Sequence, residues 1–437
     1  MTHELAGMCR TLKAAAGATL IAAASIATLA LLGGGPIITA LITLGVLGTV
    51  AAGVLTATLG LIVQRQRHVE QGEPDLFIRM NLPRSEEAVR AGKCATRTPT
   101  QRWIARNLFG HHLLVGDTVR IRSIDEIRRT LDTIGELDGL PFMDEMAAFC
   151  GHTARVYRVL DKIYDYGRSR RMRRLEDSVL LVGLRCDGSA HGGCEAACYM
   201  VWKRQWLGPV RASAATPILT TSSLPQFDQT STHSTADPIQ RTPLAATHGS
   251  VPHYECQYTK LTNATHPIGR FDLNRTFGAL VVGNVSIAAF LVAAMTRLAN
   301  ALQVARGGVA YPALPRLEKN SETPVVALNA GQWVRVNTTA QIATTLDRNS
   351  KNRGLWFDAD MLKHAGRTCR VLGRIERIID IASGQMIPMR TPCIVLDGVH
   401  YSGEFQWFGE QHDYLYWREA WLKPIDPPTA RTADETA

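Results

Sequence analysis

Residues 138–156 read DGLPFMDEMAAFCGHTARV, and residues 353–371 read RGLWFDADMLKHAGRTCRV. The two stretches share eight residues, among them Phe, Met and two Gly, at a constant offset of 215 positions (353 − 138). The same ungapped register extends outward over Gly116–Leu207 and Gly331–Leu422, including two tryptophans in each copy. Because so many rare residues coincide, we predict two copies of one fold, held apart by other sequence.

Each copy carries the pattern of a small β-rich domain. In the first copy, residues 117–122 alternate polar and apolar side chains as a strand does, and Ser123 followed by Glu126 is typical of a helix start. One short helix among several short strands predicts a fold that is mainly β with some α, built as two tandem small barrels of the SH3-like kind. We place repeat domain 1 at 113–208 and repeat domain 2 at 328–424.

The copies differ as a block at four cysteines of the first copy, which are Cys150, Cys186, Cys194 and Cys198. The second copy has Ala, Tyr, Gly and Asp at the matching positions, although the scaffold residues around them are kept. Four residues that serve one site would change together in this way. The sequence therefore predicts a metal site with these four cysteines as ligands, holding zinc or an iron–sulfur cluster.

Other interpretations of these cysteines stay open. The spacing C-x35-C-x7-C-x3-C is not that of a common zinc knuckle, so one or two disulfides or independent buried thiols are alternatives. Cys186 or Cys194 beside His191 is also a candidate nucleophile and base, without an evident third member. The chain has nine cysteines in all, and an odd, scattered set disfavours a complete disulfide framework.

The N-terminal region predicts a membrane anchor. No charged residue occurs between Lys13 and Arg65, and a Gly-Gly-Gly-Pro run breaks this apolar stretch near its middle. We expect a hairpin of two transmembrane helices, at about 14–32 and 37–63, with a cleaved signal peptide as the alternative. Basic residues on both flanks favour an inner-membrane protein with repeat domain 1 in the cytoplasm, where thiols stay reduced.

The remaining segments are less distinctive. Residues 68–112 form a basic connector, which either contacts anionic lipid headgroups or is a solvated linker. Residues 209–253 have the composition of a flexible linker, and 425–437 that of a disordered tail. Residues 254–310 form an apolar helical segment whose part 277–295 is a possible third membrane helix. The formal net charge of +9 does not by itself indicate nucleic-acid binding, and we do not expect nucleic acid as a partner.

The motifs DGLPFM at 138–143, Cys150-Gly151 and LRCDGSAHGGC at 184–194 resemble a family of uncharacterised bacterial proteins. The resemblance covers both copies and residues 254–290, and it implies a shared site, without an established activity.

Two functional roles are expected from these sequence features. The first is a metal or redox accessory of a membrane-associated biosynthetic pathway, with the bilayer and a membrane-associated protein as partners. The second is a non-enzymatic scaffold or binding module with structural zinc or disulfides.

Overall fold

The structure is a computed structural model, and its two compact units are described separately. The first unit comprises Met1–Gln71 with Leu291–Pro315, and the second comprises Gly72–Phe290 with Arg316–Ala437. Both repeats lie in the second unit. The described residues are 53, 60, 62–67, 86–92, 97–169, 171–210, 252–269, 272, 274–312, 327–406 and 408–427.

The first repeat follows two helices, α1 (Glu86–Arg90) and α2 (Pro99–Phe109). Its elements are β1 (Thr118–Ile121), α3 (Ile124–Arg128), β2 (Glu136–Leu137), β3 (Leu140–Pro141), β4 (Thr153–Tyr164), β5 (Met172–Arg185), β6 (Tyr199–Lys203) and β7 (Leu207–Gly208). Short 3-10 helices occupy Asp144–Phe149, Ser189–His191 and Arg204–Trp206. The segment between the repeats contains β8 (His266–Pro267), a π-helical turn (Asn274–Gly278), α4 (Ala279–Val281) and α5 (Ile287–Ala305).

The second repeat has the same elements in the same order. They are β9 (Trp333–Val336), α6 (Thr339–Ala343), β10 (Lys351–Asn352), β11 (Leu355–Trp356), β12 (Thr368–Ile379), β13 (Met386–His400), β14 (Tyr414–Trp417) and β15 (Leu422–Ile425). Its 3-10 helices lie at Ala359–His364, Glu404–Gln406 and Glu419–Trp421. Strands β1 and β9, like β4 and β12, begin 215 residues apart (333 − 118 and 368 − 153).

Both repeats form antiparallel sheets with the same strand order. The order is β6-β5-β4-β1-β7 in the first repeat, with β8 added to β5, and β14-β13-β12-β9-β15 in the second. Val119 lies opposite Ala154 in the first sheet, and the equivalent Val334 lies opposite Cys369 in the second. The register of the sequence repeat is therefore also the register of strand pairing.

An aromatic core stabilises each sheet in the same way. The ring of Phe142 meets Trp206 edge-on, with centroids 5.3 Å apart, and Phe357 meets Trp421 at 5.2 Å. Both tryptophans are fully buried, and the indole N–H of Trp206 donates to the Thr130 hydroxyl at 3.1 Å. Such edge-to-face pairs contribute about 0.5–1.5 kcal/mol beyond the burial of their area. The shared Phe and Trp positions of the sequence are thus core positions.

The predicted fold class, two SH3-like barrels behind an N-terminal transmembrane hairpin, is wrong in this form. The described chain is mainly β, with several sheets and some helices. In the described residues, β6 does not pair with β7 and β14 does not pair with β15, so neither sheet closes into a barrel. The predicted helices 14–32 and 37–63 lie outside the described residues, except for positions 53, 60, 62 and 63. Alternation along a sequence identifies strands, but it does not determine whether their sheet closes.

One helix of the described chain, α5, is long and apolar enough to cross a membrane, judged by length and composition alone. It begins ten residues later than the start of the predicted span 277–295, because residues 282–286 leave the helical conformation. There the Asn284 side chain pairs with the backbone of Val159 in β4, accepting from its N–H at 3.1 Å and donating to its carbonyl at 2.7 Å. The single continuous helix expected at 277–295 is therefore not found.

The other predicted segments fall partly outside the described residues. Within the predicted connector 68–112, the described part contains α1 and α2, so this region is not wholly irregular. Helix α2 begins with a capping box, in which Thr98 and Gln101 hydrogen-bond each other's backbone N–H. Of the predicted linker 209–253, the structure describes only residues 209–210 and 252–253. Of the predicted tail 425–437, it describes only residues 425–427.

Candidate metal centre

Three side chains with different donor atoms meet in the first repeat. Glu145, Cys186 and His191 place a carboxylate oxygen, a sulfur and an imidazole nitrogen within 4.8 Å of one another. The His191 Nε2 atom lies 3.2 Å from Cys186 Sγ, and Nδ1 lies 3.8 Å from Glu145 Oε1. The side chains of Glu145 and His191 are each only 4% exposed. Oxygen, sulfur and nitrogen donors at this spacing could hold a metal ion.

Local backbone geometry brings these donors together. Glu145 lies in the 3-10 helix after β3, Cys186 follows the last residue of β5, and His191 ends the 3-10 helix at Ser189–His191. Gly188 adopts a left-handed conformation with φ of 76°, and its N–H donates to Cys186 Sγ at 3.3 Å. A Cβ atom at Gly188 would lie 2.1 Å from the Cys194 carbonyl oxygen, so glycine is required for this tight turn.

Burial raises the pKa values of two of the donors. Desolvation raises the pKa of Glu145 to about 7, although hydrogen bonding to the Cys186 thiol acts in the opposite direction. Desolvation, reinforced by the charge of Glu145, raises the pKa of Cys186 well above its usual value. Both carboxylate oxygens of Glu145 are buried and lack a protein hydrogen-bond partner of standard geometry. A cation at this position would satisfy them and favour the ionised forms of both groups.

Cys198 lies within electrostatic range of Cys186 and of Cys194, so three of the four cysteines predicted as ligands are neighbours in the first repeat. Within the described chain, only Cys186 belongs to a group of three or more potential ligands. The Cys194 thiol instead accepts a hydrogen bond from the backbone N–H of Ile379 at 3.4 Å. Cys150 lies with its sulfur 4.0 Å from the Met146 carbonyl, and Cys198 contacts Cys186 through its own backbone carbonyl.

The other interpretations of the cysteines can also be compared with the structure. The seven described cysteines are all free thiols, so no disulfide occurs among them. Cys186 and His191 are in contact, as the nucleophile–base alternative requires. However, a nucleophilic cysteine needs a lowered thiol pKa, whereas burial raises that of Cys186.

Glu145 is the functional residue that the sequence analysis missed. A signal for it was present, because the second repeat has Asp360 at the equivalent position (360 − 145 = 215), so both copies keep a carboxylate. The four cysteines were predicted as ligands because they differ between the copies, whereas this carboxylate does not differ. A carboxylate shared by both copies, buried in each, was therefore overlooked.

No family model, no curated protein and no solved structure matches this chain. The resemblance to a bacterial family, expected from the motifs at 138–143 and 184–194, therefore stays a prediction.

Proposed function

We propose that the first repeat binds one zinc ion through Glu145, Cys186 and His191. The observation that carries the proposal is the convergence of three different donor atoms within 4.8 Å around a buried carboxylate whose oxygens have no hydrogen bond of standard geometry. Zinc accepts carboxylate, thiolate and imidazole ligands together, usually in a tetrahedral arrangement. Three protein ligands leave the fourth position for a water molecule or another ligand.

The donor set favours zinc over an iron–sulfur cluster. A cluster is held by four cysteine thiolates, or by two cysteines with two histidines. Here a single sulfur meets one carboxylate and one imidazole. Of the two roles expected from the sequence, this supports a binding module with structural zinc more than a redox accessory. The deep burial of Glu145 and His191 restricts the access of a substrate, and a structural site would take its fourth ligand from the chain itself.

Elemental analysis of the full chain, purified without chelators, tests the proposal. We expect about one zinc per chain, with loss of zinc in Cys186→Ala and His191→Ala. The matched control is Cys150→Ala, which removes a cysteine outside the three-donor group and should leave zinc content unchanged. Zinc that persists in Cys186→Ala and disappears in Cys150→Ala would refute the proposed ligand set.

A second proposal concerns location. We propose that the protein associates with a lipid bilayer through helix α5, which has 19 residues and sufficient hydropathy to span one. Ile287, Leu291 and Leu298 support this, because they are large, exposed and spaced to share one helix face.

Flotation of the full chain with phosphatidylethanolamine–phosphatidylglycerol vesicles tests the association with a bilayer. Leu291→Glu should weaken flotation, and the control Lys423→Glu, at an exposed position in β15, should not. Equal flotation of both variants would contradict the role of α5.

A further inference from the structure

The two repeats hold each other through equivalent glutamates. Glu195 of the first repeat accepts hydrogen bonds from the backbone N–H groups of Glu376 and Arg377 in β12, at 2.6 and 3.3 Å. Glu410 of the second repeat accepts from the N–H groups of residues 161 and 162 in β4, at 2.5 and 2.9 Å. Donors and acceptors correspond at the offset of 215 (410 − 195 and 376 − 161), so the contact is reciprocal. It is the geometry of a two-fold symmetric interface within one chain.

Each glutamate lies on a segment that we call an arm. The first arm comprises residues 186–198, between β5 and β6, and the second comprises 401–413, between β13 and β14, with residue 407 outside the description. The first arm also brings the Cys194 thiol to the N–H of Ile379. The second arm brings the Gln411 amide to the backbone of Tyr164, with hydrogen bonds of 3.0 and 2.7 Å. The arms therefore carry a large part of the contact between the repeats.

A buried lysine fixes the base of the second arm. Lys363 Nζ lies 2.6 Å from Asp360 and 3.1 Å from Glu404, and it also contacts the Ser402 hydroxyl. Asp360 in turn accepts hydrogen bonds from the arm, from the Ser402 hydroxyl at 2.8 Å and the Gly403 N–H at 3.3 Å. One ammonium group thus pairs with two buried carboxylates and holds the arm against the 3-10 helix at Ala359–His364.

The first repeat keeps the carboxylate and lacks the ammonium. Glu145 occupies the position of Asp360, and Ala148 that of Lys363 (363 − 148 = 215). Instead, its arm contributes Cys186 and His191, where the second arm has tyrosine and glutamine. The carboxylate therefore faces two metal-ligand side chains in place of a lysine, and a bound cation would supply the charge that Lys363 supplies in the second repeat.

We infer that the metal ion of the first repeat replaces Lys363 in function, and that it controls the docking of the first arm onto β12. This inference rests on the proposed zinc site and adds a regulatory consequence to it. With metal bound, Cys186 and His191 tie the arm to Glu145, so Glu195 stays placed against β12. Without metal, only the first arm loosens, because Lys363 holds the second one permanently. One half of the reciprocal contact depends on metal and the other half does not.

Hydrogen exchange of the full-length protein, with and without a chelator, tests this asymmetry. Chelation should speed exchange about tenfold or more in peptides covering 186–198 and 376–379. Peptides covering 161–164, which face the second arm, serve as the internal control and should change little. Equal acceleration at both places, or no change at 376–379 on removal of the metal, would overturn the inference. If exchange at 376–379 does not change, the proposed zinc site would still stand, provided that elemental analysis finds zinc in the wild type and none in Cys186→Ala or His191→Ala.

The variant Ala148→Lys provides an independent test, since it introduces the missing ammonium. Ala148 is exposed, so a lysine there replaces no buried apolar contact. We expect the variant to lose zinc and yet to keep slow exchange at 376–379 in chelator, as the second arm does at 161–164. Rapid exchange at 376–379 in a folded Ala148→Lys protein would count against the equivalence of lysine and metal. If the variant does not fold, the chelator experiment on the unaltered chain still decides.

Discussion

Replacing Lys363 by methionine should destabilise the second repeat strongly. The substitution keeps most of the apolar stem and removes the ammonium that lies 2.6 Å from Asp360 and 3.1 Å from Glu404. All three side chains are at least nine-tenths buried, so water cannot replace the lost cation. Removing one partner of a buried ion pair costs about 3–5 kcal/mol, because the remaining charge is left uncompensated. This corresponds to roughly a thousandfold change in the unfolding equilibrium.

The sign of the pH dependence follows from the same contacts. In the wild type, the neighbouring carboxylates raise the pKa of Lys363 despite its burial, so this lysine stays charged through neutral pH. In Lys363→Met, the buried carboxylates of Asp360 and Glu404 lose their counterion, so uptake of a proton in the folded state relieves the uncompensated charge. The folded variant then binds more protons than the unfolded chain, and its stability falls as pH rises. The penalty should therefore be larger at pH 8 than at pH 5.

Urea denaturation of the full chain, followed by tryptophan fluorescence, measures this effect because Trp417 and Trp421 are buried in the second repeat. Lys423→Met is the matched control at an exposed position of β15, where substitutions usually change stability by less than about 0.5 kcal/mol. Replacing Asp360 by asparagine in the Lys363→Met background should restore part of the stability. A loss below about 1 kcal/mol at pH 8, or equal losses at both pH values, would refute the idea that Lys363 is an essential buried cation.

Two further predictions concern the first repeat. Gly188→Ala should lower the melting temperature and the zinc content more than Gly366→Ala does. Both glycines have positive φ, but only a Cβ atom at position 188 would clash with the Cys194 carbonyl oxygen. Equal effects of the two substitutions in both assays would contradict the proposed role of the tight turn. Asp165→Asn should lower the unfolding free energy at pH 7. Burial raises the pKa of Asp165, but N–H donors of Ser169 and Arg168 outweigh this and hold it at about 2. The carboxylate's contribution is present above the unfolded pKa of about 4 and is lost as pH falls toward 2. The difference between wild type and variant in urea denaturation should therefore shrink from pH 7 to pH 3, and a constant difference would argue against this charge effect.

Much of each repeat was predictable because its signals are local. Alternation at 117–122 indicated the strand β1, and Ser123 with Glu126 indicated the start of α3, whose capping box the structure contains. The tryptophans that the repeat register pairs are buried in both copies. These features depend on neighbours within a few residues, which a single sequence displays directly.

The features that the sequence did not predict depend on contacts between distant residues. Glu195 and Glu376 are 181 positions apart, and nothing near either residue indicates that they meet. The same holds for the metal centre, where Cys186 was expected but its partner Glu145 comes from an earlier 3-10 helix and not from another cysteine. Cysteines attract attention as ligands, whereas a buried carboxylate cannot be recognised before its burial is known.

Cobalt substitution of the full-length protein tests the central claim most directly. Tetrahedral Co²⁺ in place of zinc reports the number of thiolate ligands through the intensity of its sulfur-to-metal charge-transfer absorption. We predict one cobalt per chain and the absorption of a single thiolate, which disappears in Cys186→Ala and persists in Cys150→Ala. Absorption typical of four thiolates, or no cobalt bound at all, would contradict a zinc centre built from Glu145, Cys186 and His191.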